Sequence, residues 1–156
     1  MTISTTTRAN YFQLGAGAME ILLQQENYLR EQFTVSETLS ISLWELVKLR
    51  VSQINQCAFC IDMHSRDALA QGETTARLLG LNAWRDMPLY TETERAALDW
   101  AEHLSAALAV DDQRYRQLVE VLGEQALVDL NVAINAINSW NRIAKTFKPE
   151  VGSYKP

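Results

Sequence analysis

The sequence is short of the residues that interrupt helices, with three prolines and six glycines in 156 positions. That scarcity excludes a collagen-like or low-complexity chain. With 47% hydrophobic and 21% charged residues, a disordered chain is excluded as well. Basic residues are also outnumbered: 14 Lys and Arg against 19 Asp and Glu give a formal charge of −5. No Lys/Arg cluster offers a footprint for a phosphate backbone, so no nucleic-acid partner is expected. Long apolar runs are missing too. The longest strictly apolar one, Ala106 to Val110, falls far short of the ~20 residues of a spanning helix. The opening Met1-Thr2-Ile3-Ser4-Thr5-Thr6-Thr7-Arg8 lacks the basic-then-apolar order of an export signal. The expectation is a cytoplasmic protein with no membrane partner.

Cysteine is rare, and both copies sit in one Cys57-x-x-Cys60. A chain of this length buries roughly 68–70% of its unfolded surface and needs no disulfide framework. In a reducing compartment such a pair is more often catalytic or metal-binding than structural. The length suits one domain over residues 1–156.

What is present is helical patterning. Leu14, Ala18, Ile21/Leu22, Gln25 and Leu29 recur near helical spacing, predicting a helix from about Leu14 to Gln32. A second opens at Ser40 or Ser42, where Ser42-Leu43-Trp44-Glu45 has capping-box form, and runs to about Asn55. A third begins around Cys57 and ends at Gly72, followed by a short helix over Glu73 to Leu79 and a segment around Trp84. Thr91-Glu92-Thr93-Glu94 is a second capping box, starting a helix to about Ala109. The next spans Asp111 to Gly123, and the last Glu124 to Phe147, with Pro149 as a stop. Strand signals are nearly absent, so the fold expected is an all-α, single-domain bundle of about six or seven helices. Val51-Ser52-Gln53-Ile54-Asn55 and Ile134-Asn135-Ala136-Ile137-Asn138 are a faint internal echo.

The stretch from Glu45 to His64 carries the chemistry. If the third helix starts near Cys57, both thiols fall at its first turn, where unpaired N–H groups and the positive end of the dipole favour a thiolate. Thiols in such places have pKa values lowered to about 3.5–7.5 from ~8.5. Three residues apart, the sulfurs can meet as a disulfide. His64 lies one turn beyond Cys60 on the same face, a base placed for a thiol proton. A break near Asn55/Gln56 would fold the two helices back and bring Glu45 alongside Cys60 and His64. Other readings stand beside this one: two small buried cysteines without chemistry, or a zinc site drawn from Cys57, Cys60, His64 and Glu45.

Glu, twelve residues to Cys-x-x-Cys, then three residues to His resembles the alkylhydroperoxidase D-like (AhpD-like) group of the carboxymuconolactone decarboxylase superfamily. The flanking Leu46 to Asn55, Thr93 to Leu98 and Ile137 to Arg142 extend the resemblance to about residues 39–147. It implies an AhpD-like helical bundle that assembles as a homo-oligomer, commonly a trimer or hexamer. It also implies a peroxiredoxin-type, thiol-dependent peroxidase or disulfide reductase without metal or bound cofactor. The partners implied are a small hydroperoxide and an external dithiol reductant, such as lipoamide or a thioredoxin-like protein. Carried over by position, Cys60 is the peroxide-reactive thiol, Cys57 the resolving one, and His64 with Glu45 the proton relay. Founding members have a second histidine between the cysteines, where Phe59 stands here. The alternatives are a lyase of the decarboxylase type, whose superfamily members lack the Cys pair, a non-enzymatic redox sensor, and a structural module with a vestigial site.

Elsewhere, His103 is expected to face solvent or a partner, and Asp62 to be solvated. Asn131, Asn135, Asn138 and Asn141 share a helix face, expected to be buried with paired amides. Arg50 and Arg142 are candidates to pair with those amides or with Glu45. Trp44, Trp84, Trp100 and Trp140 are expected in the core or an interface.

Overall fold

The computed structural model describes residues 8–156, and the reading of Met1 to Thr7 as free of an export signal lies outside the described residues. Among the described residues the fold is all-α, with eight α-helices and one 3₁₀ helix. They are α1 (Tyr11–Leu14), α2 (Ala16–Val35), α3 (Ile41–Ile54), α4 (Ala58–Ala70), α5 (Thr75–Gly80), a 3₁₀ turn (Leu81–Asp86), α6 (Glu92–Ser105), α7 (Asp112–Leu122) and α8 (Glu124–Phe147). No helix among them is long and apolar enough to cross a membrane. The first expected helix is α2, running on to Val35, and the four-residue α1, capped by Asn10, precedes it.

Local chemistry sets the helix ends. Thr91 and Glu94 make the reciprocal capping box, and Asp111 caps α7 by accepting from the Arg114 amide. Gly123, at φ 78°, closes α7 and opens α8 in one residue. At α3 the cap is Ser40, which accepts from the Leu43 amide, and not Ser42. Starting at Ile41 lets Leu43, Trp44 and Val47 all reach the core and frees Glu45 from capping. The α6 helix stops at Ser105, short of Ala109, because Ala107 turns left-handed at φ 53° and the Leu108 amide returns to the His103 carbonyl.

The centre of the bundle is α3, packed against α2, α4, α6 and α8. Nine of its fourteen residues are buried, so its polar members Glu45, Lys48 and Ser52 must find partners inside the protein. One core cluster joins α3 to α2, α6, α7 and α8 through Leu29, Trp44, Val47, Trp100, Leu118 and Ile134. A second gathers Leu46, Leu49, Leu81, Trp84 and Leu98. Truncating a fully buried member such as Leu46 or Ile134 to alanine removes about 2–5 kcal/mol.

The two echoed segments meet in space. The Asn55 amide donates to Asn138 Oδ1 (2.9 Å) and Asn141 Oδ1 (3.0 Å), Asn141 donates to Ser52 Oγ (3.0 Å), and Ser52 donates to the Lys48 carbonyl (2.7 Å). Asn138 and Asn141 are buried and paired as expected, whereas Asn131 is half-buried and Asn135 exposed. The four-residue stripe is too wide for a single seam. Trp44, Trp84 and Trp100 are core residues, and Trp140 is half-buried.

Candidate functional site

Between α3 and α4 the chain reverses in three residues. Gln56 adopts φ 54°, its amide returns to the Gln53 carbonyl, and the Cys57 amide returns to the Ser52 carbonyl at 3.0 Å. This pair of bonds is the Schellman closure of a helix end, made here with glutamine where glycine is usual. Cys57 is at once the last residue of that turn and the N-cap of α4, its sulfur accepting from the Cys60 amide at 3.4 Å. The turn lays α4 back along α3, as the break near Asn55/Gln56 suggested.

Cys57 and Cys60 are joined by a disulfide, with their Cα atoms 5.3 Å apart. Both are buried, but they differ in what they face. Cys60 lines a cavity of about 470 Å³, while Cys57 is not among the lining residues. His64, one turn beyond Cys60, lines the same cavity. The fold-back brings Glu45 against His64, and Cys60 and His64 share the cavity lining.

Glu45 holds two partners. His64 Nδ1 lies 3.1 Å from Oε2, and Lys48 Nζ lies 2.6 Å from Oε1. Burial alone would raise the Glu45 carboxyl. The His64 hydrogen bond and the Lys48 charge outweigh it and hold the group below the usual carboxylate range. The opposite balance governs His64: burial, reinforced by Lys48, pulls the imidazole below its ordinary value despite the stabilising carboxylate. An ionised Glu45 beside a neutral imidazole assigns the ring proton to Nδ1, donated to Oε2. Nε2 is then a lone-pair acceptor, and it is buried without a hydrogen-bond partner among the described residues. A base with its free nitrogen unsatisfied, lining the same cavity as a cysteine one turn away on its helix, is equipped to take a thiol proton.

Lys48 is the site residue that sequence reasoning missed. Its ammonium sits 3.8 Å from the centre of the Trp44 ring, lines the cavity, and is only 5% exposed. The signal was its i,i+3 spacing from Glu45 on a helix buried on most sides. The far walls were missed as well. They come from Tyr11 and Phe12 of α1, Leu23, Glu26 and Arg30 of α2, and Tyr154 near the C-terminus. Tyr154 donates to Asp67 Oδ1 at 2.8 Å, and burial together with that carboxylate pushes its phenol up to about 12. Phe59, in the place of the founding members' histidine, adds an aromatic wall.

Other candidates lie elsewhere. Arg50 does not reach Glu45; it bonds Glu102, Asn82 and Gln53. Arg142 bonds Asn138. Asp62 is tied down by Arg66 and the Gly152 amide, not freely solvated. His103, half-buried, stacks on Trp100 and contacts the Ala109 carbonyl, on a different part of the molecule. The zinc set read from sequence is not assembled, because the two sulfurs are bonded to each other. The histidine–acid cluster among the described residues is Glu45, His64 and Asp67, with ligand atoms within 4.8 Å. Lys48 opposes a cation there.

The model of the carboxymuconolactone decarboxylase family matches residues 22–103, which include Glu45, both cysteines and His64. The chain belongs to this family. The uncharacterized Bacillus subtilis protein YdfG is 41% identical over 139 residues, covering 88% of this chain and 91% of its own. An Agrobacterium tumefaciens structure, provisionally described as the antioxidant defence protein AhpD, is 33% identical. It superposes with a TM-score of 0.84, over 96% of this chain and 100% of that one. The family member described here thus has the AhpD-like helical fold. A peroxidase-related protein from Silicibacter sp. TM1040 shares that fold at 19% identity, with a TM-score of 0.76 over 88% of this chain and 72% of that one.

Proposed function

We propose that the protein is a thiol peroxidase that reduces small hydroperoxides through the Cys57/Cys60 couple. The observation that carries this reading is the shared cavity wall, which Cys60 lines together with His64, whose Nε2 has no partner, while Cys57 is bonded to Cys60 from outside that lining. In the reduced state His64 Nε2 takes the Cys60 proton, and Glu45, receiving the Nδ1–H, stabilises the imidazolium that results. The thiolate attacks the distal oxygen of the hydroperoxide. The O–O bond breaks, an alkoxide leaves to become an alcohol, and Cys60 becomes a sulfenic acid. Cys57 then attacks that sulfur, forming the disulfide and releasing water with the proton held on His64. An external dithiol, of the lipoamide or thioredoxin-like kind, restores both thiols by exchange. No metal enters this scheme.

Thiol counting with single-cysteine variants tests the reading. One equivalent of hydroperoxide should consume both wild-type thiols together. Cys60→Ser should abolish peroxide consumption, and Cys57→Ser should support one turnover and stop at the sulfenic acid. A lyase of the decarboxylase type would instead keep its decarboxylase activity with both cysteines alkylated.

Assembly into a homo-oligomer, with a second copy covering α1 and α2, belongs to the same reading. Phe12 and Leu23 are exposed at the cavity, and Ile21, Tyr28 and Val35 are exposed on another face of α2. Size-exclusion chromatography with light scattering checks it, and a monomer at all concentrations would overturn it.

A further inference from the structure

The peroxidase reading leaves one step without an agent. When a thiolate displaces an alkoxide from oxygen, attack is in line, so the leaving oxygen departs on the side away from the nucleophile. A proton must meet it there. His64 shares α4 with Cys60 and is already engaged with the thiol proton. The acid has to come from another wall.

The cavity offers few such groups. Lys48 is spent on Glu45, and Asp67 accepts from Tyr154, whose phenol is too weak an acid. Tyr11 on α1 is likewise a phenol held above its ordinary value by burial. Arg30 does not give up a proton. Glu26 remains. It lies on α2, in the wall that α2 rather than α4 provides, and it is half-buried, with Leu23, Trp140, Arg30 and Lys48 in the same lining. Trp140 Nε1 donates to its Oε1 at 3.1 Å. An indole can only donate, so this bond fixes Oε1 as the acceptor and leaves Oε2 to carry a proton.

Building on the peroxidase reading, we propose that Glu26 is a catalytic residue, the general acid that protonates the departing alkoxide. The carboxylic acid gives its proton to the RO⁻ released by O–O cleavage, yielding ROH and a carboxylate. The carboxylate recovers a proton when Cys57 loses its own to close the disulfide. Two thiol protons thus end on one alcohol and one water. The environment suits the role. Burial raises the Glu26 carboxyl and the Glu45 charge adds to it, prevailing over Lys48, Arg30 and the Trp140 bond, so the group stays above the usual carboxylate range.

The test is the dependence on the leaving group. An alkoxide needs the acid, whereas acetate released from a peracid does not. Glu26→Gln keeps the acceptor for Trp140 and removes the proton. In this variant the ratio of kcat/KM for tert-butyl hydroperoxide to kcat/KM for peracetic acid should fall by on the order of 100-fold. Glu26→Leu, which suits an apolar wall, should give the same fall and serves if the amide variant does not fold. Activity on both oxidants with an unmoved ratio overturns the role of Glu26 alone. A wild-type protein that reduces neither oxidant overturns the peroxidase reading, and Glu26 with it.

Discussion

Glu45 Oε1 lies 2.6 Å from Lys48 Nζ, and the two side chains are 4% and 6% exposed. A buried ion pair of this kind stabilises little against an apolar replacement of both partners, but removing one partner strands the other. Lys48→Met should therefore cost about 3–5 kcal/mol by chemical denaturation, more than an ordinary surface substitution. The same change should weaken the relay, because Glu45 would become more basic and draw the Nδ1 proton towards itself. An unaltered denaturation midpoint would show that the pair is not closed in solution.

The stability of the fold should decline in acid, and the sign follows from the two shifted groups. His64 is held below its ordinary 6.5, so under pH 6.5 the unfolded chain binds a proton that the folded chain refuses. Its contribution is complete above that pH and is lost as pH falls towards the folded value. Glu45, held below 4.5, contributes above 4.5 and loses that contribution further into acid. Glu26 has the opposite sign: its raised carboxyl favours folding in acid, and that effect fades as pH rises through its folded value. The His64 part is isolated by comparing Tm against pH for the wild type and His64→Gln. The wild type should lose Tm more steeply just below pH 6.5, and parallel curves would remove His64 from the buried neutral state.

Asn55 joins the turn before Cys57 to α8 by two amide bonds, and Asn55→Ala breaks both. Asn141 Oδ1 is then left without the donor seen here, whereas Asn138 Oδ1 keeps a contact from Arg142. A loss of about 2 kcal/mol is expected, measured by urea titration. Because Cys60 and His64 are untouched, the first reaction with peroxide should keep its rate. Disulfide closure should slow, with more sulfinic acid at Cys60 detected by mass spectrometry. Equal slowing of both steps would show that the clamp has no special bearing on Cys57.

Much of this site was legible because its parts are local. Thr91, Asp111 and Gly123 announce helix ends through their own backbone bonds, and the one-turn register of Cys60 with His64 is a property of a single helix. Glu45 became legible through the short turn at Asn55/Gln56, which leaves α4 no course but back along α3. Ser42 misled, since a capping-box spacing is satisfied by any Glu three residues on, and burial of Leu43 and Trp44 decided for Ser40 instead. Glu26 and Tyr154 were illegible for a different reason. Trp140 lies 114 residues from Glu26 and Asp67 lies 87 from Tyr154, so no spacing rule connects them. Lys48 stood in plain view, but a lysine three residues from a glutamate usually marks a wet surface, and only its buried helix says otherwise.

Trp44 lies directly beneath the Lys48 ammonium and next in the chain to Glu45, shielded from solvent. An indole so close to a fixed charge changes its emission when that charge or its counterion alters. With Trp84, Trp100 and Trp140 replaced by phenylalanine, the remaining indole becomes an intrinsic optical gauge of ionisation beside the cysteines. Proton movements could then be followed by stopped-flow fluorescence without any attached dye.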